Sequence, residues 1–196
     1  MTQLSFGYNT GQTLHDELTT LSKYGQIPKE IGYHITDNLN ANFQLRHYQI
    51  QAFARFSYWW GSSLKVQPTQ LLFQMATGSG KTLIMAGLIL DLYTKGYSNF
   101  IFFVNNANII NKTRENFLNP HSIKYLFAPE IFVGDKQLKI REVANFQAVN
   151  TDDINIVFST IQGLHSRLNA PKENSVTYED FENGKTALVS DEAHHL

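Results

Sequence analysis

Four short apolar runs recur along the chain, and three of them lead into stretches with helical spacing. No other feature narrows the possible folds as far. The runs are TQLLFQM (69–75), NFIFFV (99–104), INIVFST (154–160) and TALVS (186–190). TLIMAGLILDLYTK follows the first and closes at Gly96, ANIINKTRENF follows the second, and IQGLHSRL follows the third. Strands alternating with helices at this spacing predict βαβ units, hence an α/β fold with a mostly parallel sheet flanked by helices. Runs so uniformly apolar are expected of buried strands covered on both faces.

Ahead of this pattern, residues 1–44 read as a separate, small helical N-terminal piece. QTLHDELTTLSKYG predicts a helix capped by Thr13, with Leu14, Leu18 and Leu21 on one face and Gly25 at its end. IPKEIGYHITDNLNANF predicts a further helix or turn region. From residue 45 a single domain is expected to run to residue 196. It opens with a helix over LRHYQIQAFARFSYWW, whose apolar positions Leu45, Tyr48, Ala52, Phe56 and Trp59 share a face. The aromatic FSYWW invites either base stacking or core packing, and its apolar neighbours favour core. Residues 120–150 are less regular, and 169–185 are polar enough to predict a surface loop with at most a short helix.

Composition bounds the function. The 196 residues suit one domain with a core, and 42% hydrophobic with 17% charged residues describes a globular chain. The chain has no cysteine, which excludes disulfides and thiolate metal sites and fits the cytoplasm. No apolar run approaches the ~18 residues of a membrane span. The N-terminus has neither a basic region nor an apolar core of the kind that directs export. A net charge of −1 lacks the basic excess of a protein that grips nucleic acid by its phosphates, so any such contact is expected to be local and weak.

The chemistry concentrates at two strand ends, where open α/β sheets bind ligands. In ATGSGKT (76–82), Gly78 and Gly80 allow the backbone to curl so that successive N–H groups, with those of Thr77 and Ser79, face a phosphate. The following helix adds unpaired N–H groups and a favourable dipole. Lys81 then reaches the outer phosphates, and the Thr82 hydroxyl suits Mg²⁺. Met75 stands where the strict pattern G-x(4)-G-K-[ST] has its first glycine. A dinucleotide fingerprint fails at Leu83, and a merely structural turn leaves Lys81 and Thr82 unexplained. A small-molecule kinase remains open from this loop alone. At the second strand end stands DEAHHL. In a Mg²⁺–nucleotide site one carboxylate holds the metal and its neighbour positions the attacking water, roles that suit Asp191 and Glu192. His194 and His195 are adjacent, so their side chains point apart, which argues against a metal pair.

Together ATGSGKT and DEAH resemble motifs I and II of superfamily 2 helicases and translocases, whose motif I commonly lacks the first glycine. LRHYQIQAF resembles the Arg-x-x-Gln helix of the same proteins. That resemblance implies a RecA-like P-loop NTPase lobe using ATP and Mg²⁺. It implies that Gln49, with Arg46 nearby, reads the adenine edge, and that His194 couples nucleotide to DNA; Phe43, just ahead of that segment, suits base stacking no better than it suits other roles. FFVNNANII and FSTIQGL sit where motifs Ia and Ib belong, implicating Asn105, Asn106, Ser159, Thr160 and Gln162 in nucleic-acid contact. Asn105 and Asn106 equally suit a strand end and a helix cap. His47, beside Gln49, reads as surface or core filling.

From about residue 43 onward the wording between motifs is similar to the Res subunits of type III restriction–modification systems. That resemblance implies an ATP-driven DNA translocase with a second RecA-like lobe, a nuclease domain and a partner methyltransferase, none of which fits within 196 residues. The chain alone is then expected to bind Mg²⁺–ATP weakly and to turn it over barely. A non-catalytic or regulatory nucleotide-binding module, or a superfamily 2 helicase outside restriction, are the other readings.

Overall fold

A computed structural model describes residues 13–66, 68–171, 173–182 and 185–191. Its secondary structure follows the alternation, and the fold is α/β with a parallel four-stranded sheet flanked by helices. The chain forms two compact units: Gln44–Ile84 with the residues before Tyr33, and Tyr33–Phe43 with Met85 onward.

In the first unit, α1 (Leu14–Lys23) starts on a reciprocal cap. The Thr13 hydroxyl accepts from the Asp16 N–H, and the Asp16 carboxylate accepts from the Thr13 N–H. Gly25, at φ 71°, turns the chain out of the helix. The long helix α3 (His47–Gly61) buries Gln49, Phe53, Ala54, Phe56 and Trp59. FSYWW is therefore largely core: Phe56 packs on Trp59, Trp60 and Phe73 with centroids 5.6–6.4 Å apart. One expectation fails here. TQLLFQM belongs to no helix or strand among the described residues, and Leu72 is 41% exposed. The run is apolar enough for a strand, but its backbone finds no ladder, so burial reaches Leu71, Phe73 and Met75 only in part.

The second unit holds the sheet. β1 (Asn99–Val104) lies between β5 (Ile154–Thr160) and β6 (Thr186–Ser190), and β4 (Ile140–Glu142) flanks β5, giving the order β4-β5-β1-β6. All pairs are parallel. Alternation along β1 sends Phe100 and Phe102 to one face and Ile101 to the other. Phe102 packs with Phe158 and with Phe117 of α5 (Ala107–Leu118). Ile101 and Val157 pack with Leu164 of α6 (Ile161–Asn169) and with Val176. The two helices thus cover opposite faces, and full burial of each such ring contributes about 1.5–3 kcal/mol. The polar 169–185 segment is more than a surface loop, since Val176 is wholly buried and anchors it. It carries one turn of helix, α7 (Glu179–Glu182). The irregular 120–150 stretch contains the hairpin β2 (Ile131–Val133) and β3 (Lys136–Leu138) as well as β4.

Residues 33–43, with the single turn α2 (Tyr33–Thr36), are built into this unit as a strap. The Asn38 amide donates to the Phe132 carbonyl and accepts from the Phe132 N–H, both at 2.7 Å. Asn40 donates to the carbonyls of Leu126 and Tyr125. His34 Nε2 lies 2.7 Å from the buried Asp91 carboxylate of α4 (Lys81–Thr94), and Lys95 lies 2.8 Å from it. At the amino ends of the strands, Asp153 accepts from Arg141 Nε at 2.6 Å and from the Lys139 N–H. Burial pushes its carboxyl up, but these bonds outweigh burial and hold it below the ordinary value. Among the described residues no helix is long and apolar enough to cross a membrane.

Candidate nucleotide site and nucleic-acid edge

The phosphate-loop candidate lies wholly in the first unit. Gly78 and Gly80 adopt φ of 74° and 82°, a region that residues with a Cβ rarely enter. Ser79 between them donates its N–H to the Ala76 carbonyl at 3.2 Å. Among the described residues no acceptor takes the N–H groups of Gly78, Gly80, Lys81 or Thr82. The last two open α4, so the loop and the helix N-terminus offer donors to an anion together. The Lys81 ammonium donates to the Met75 carbonyl at 3.4 Å, a long contact that an anionic ligand can readily replace. These groups fit a polyphosphate: glycine conformations, open N–H groups, one cation and the Thr82 hydroxyl within a short span.

α3 holds the loop from its first turn. Gln49 is 3% exposed; its Oε1 accepts from the Arg46 N–H at 2.9 Å and its Nε2 donates to the Ser79 carbonyl at 3.1 Å. The Tyr48 hydroxyl donates to the same carbonyl at 2.7 Å and accepts from Arg46 Nη1 at 3.2 Å. Gln49 thus spans the helix start and the loop, while Arg46 and His47 are exposed. Tyr48 is a loop-holding residue that the sequence reading placed only on an apolar face. Its position next to Gln49 in the first turn was the available signal.

The close approach of Gln49 explains Gly80. A Cβ there would stand 2.6 Å from Gln49 Nε2, whereas one at Gly78 would meet nothing within 4 Å. Gly80→Ala therefore combines left-handed strain of about 1–2 kcal/mol with displacement of a buried amide. Gly78→Ala carries the strain alone. In thermal melts Gly80→Ala is expected to lower the midpoint more than Gly78→Ala; equal midpoints would remove Gln49 as the reason for the second glycine.

The second unit gathers the remaining candidates at one edge of its sheet. Val104 stands opposite Thr160, and Phe103 opposite Ser190, so Asn105, Thr160 and Asp191 all leave the carboxyl ends of adjacent strands. Asn106 caps α5 by accepting from the Asn108 N–H at 2.8 Å, and Thr160 caps α6 by accepting from the Gly163 N–H at 2.9 Å. Ser159 is buried and donates to the Thr160 carbonyl, while Asn105, Asn106 and Gln162 are exposed. Two capped helix N-termini at one sheet edge make that edge favourable for anions. The Ser190 hydroxyl donates to the Asp191 carbonyl oxygen. Glu192, His194 and His195 lie outside the described residues.

The sequence profile of the family described as "Type III restriction enzyme, res subunit" matches residues 42–196. A "Probable type III restriction-modification enzyme HindVIP Res subunit" from Haemophilus influenzae is 45% identical over 133 residues, 68% of this chain. The aligned stretch is 26% of that relative, so the chain spans only a fraction of its length. No solved structure gives a significant match. The matched residues take in the phosphate loop, the sheet and the DEAH stretch, as expected of the first RecA-like lobe. The chain belongs to the Res-subunit family of type III restriction enzymes.

Proposed function

We propose that this chain is the ATP-binding lobe of an ATP-dependent DNA translocase or helicase acting in restriction. The observation that carries the reading is the loop itself, with unengaged N–H groups from Gly78, Gly80, Lys81 and Thr82 gathered at the head of α4. Thr77, Ser79 and the glycines cradle the phosphates, and Lys81 neutralises the outer pair. Arg46 and Gln49 face the adenine edge. Thr82 and Asp191 hold Mg²⁺, and Glu192 orients the attacking water as general base. A bound triphosphate with its divalent ion supplies the transferable phosphoryl group. Asn105, Asn106, Ser159, Thr160 and Gln162 contact the DNA backbone, a role the two capped helix ends at that sheet edge support. His194 couples nucleotide to DNA.

In the whole protein a second RecA-like lobe, a nuclease domain and a methyltransferase subunit complete the machine. The second lobe would bring arginine fingers, worth ~10³–10⁵ in rate in comparable systems, so the first lobe by itself is expected to turn ATP over barely. The metal role is tested with Asp191→Asn. Calorimetry with ATP, with and without Mg²⁺, is expected to show that the Mg²⁺-dependent gain in affinity shrinks by ~10-fold, or about 1.4 kcal/mol. An undiminished gain would refute the assignment of Asp191.

A further inference from the structure

The first unit holds a half-open pocket of about 420 Å³, most of whose lining the nucleotide reading does not use. Its volume falls among those of small-molecule sites. The walls are mainly apolar and aromatic: Leu18 of α1, Ala52, Phe56 and Trp59 of α3, and Phe73 of the TQLLFQM run. His15, Tyr48, Gln51, Gln74, Arg55 and Ser79 break this lining, and the last two carry buried atoms without a partner. Arg55 contributes a buried Nε with no acceptor, and Ser79 a buried hydroxyl with no partner. Among the described residues no carboxylate pairs with Arg55. A buried donor without an acceptor is costly, and folded proteins leave few. Both orphans lie in one lining, and an occupant bearing a hydrogen-bond acceptor satisfies both. Gly78, Gly80, Lys81 and Thr82 do not line the pocket, and of the phosphate-cradle residues only Ser79 reaches it.

We infer that this cavity is a second binding site, for a small planar aromatic anion. Its ring packs among Phe56, Trp59 and Phe73, and its acidic group sits on Arg55, with the Ser79 hydroxyl as a further contact. The charge of Arg55 selects an anion, and the aromatic walls select a flat ring over a free inorganic ion. Ser79 belongs to the phosphate loop, and Tyr48, whose hydroxyl holds the Ser79 carbonyl, also lines the cavity. An occupant therefore bears directly on the loop, which gives the site a regulatory use.

The test titrates the full chain with anilinonaphthalene sulfonate, an aromatic anion, and with neutral N-phenylnaphthylamine, following fluorescence. The expected result is saturable binding of the anion to a single site. Arg55→Leu weakens that binding by ~10-fold or more and leaves the neutral probe unchanged. Arg55→Lys, which keeps the charge without the Nε donor, falls between. Ala52→Trp fills the space and excludes both probes, and thermal melts confirm that each variant folds. Anion binding that is equal in the Leu variant, that persists in Ala52→Trp, or that spreads over several weak sites overturns the inference. So does competitive displacement by Mg²⁺–ATP, which would assign the cavity to the nucleotide.

Discussion

Lys81→Ala is expected to weaken Mg²⁺–ATP binding by ~10-fold or more, while the chain's melting temperature scarcely moves. The affinity loss follows from removing one charge-assisted phosphate contact, worth ~1.5–3 kcal/mol. The unchanged stability follows from the contact Lys81 makes within the protein, a single 3.4 Å hydrogen bond to the Met75 carbonyl. A bond that long contributes little to folding. Calorimetry on the two proteins, beside a melt of each, separates the effects. Equal affinity would mean that the open N–H groups of this loop do not serve a triphosphate.

The largest effect on stability is expected at Asp91. Its carboxylate is 1% exposed and accepts from both His34 and Lys95, so Asp91→Ala leaves both of them facing a cavity without their acceptor. Breaking a buried pair costs ~3–5 kcal/mol, and the lower end applies because His34 and Lys95 are both part-exposed and can turn toward water. The melting temperature should fall by on the order of 6–12 °C, and a fall under ~2 °C would show that the cluster contributes little. Acidity provides an independent check. Burial pushes the Asp91 carboxyl up, but the hydrogen bonds and charges of His34 and Lys95 outweigh burial, leaving it below the ordinary value. A depressed folded value means that the stabilisation is complete above the ordinary carboxylate range and is lost as pH falls through the lower folded value. Below roughly pH 4 the wild type should therefore lose stability more steeply than Asp91→Ala.

Much of this structure is written locally and was legible in the sequence. Thr13 caps α1, Gly25 and Gly96 end helices, and NFIFFV and INIVFST form the two central strands. What escaped depends on distant partners. TQLLFQM has a strand's composition but no ladder, and composition does not say whether a partner edge is within reach. The three-residue strands β2, β3 and β4 are too short to carry a period, and their pairing is visible only in three dimensions. In the phosphate loop, glycine spacing announced the backbone conformation correctly. The hold of Tyr48 and Gln49 on the Ser79 carbonyl spans about thirty residues of chain, and its one trace in the sequence is the place of Tyr48 beside Gln49.

The strap sets where a minimal folding unit can begin. Motif spacing alone would invite trimming the chain to the start of α3, just past Phe43. That cut deletes the partners of the Phe132 N–H and of the carbonyls of Tyr125, Leu126 and Phe132, and it also deletes the wholly buried Ile35. Each group stranded in this way costs about 1–3 kcal/mol, and nothing else among the described residues replaces them. The start of the family match at residue 42 and the folding boundary therefore do not coincide in this chain.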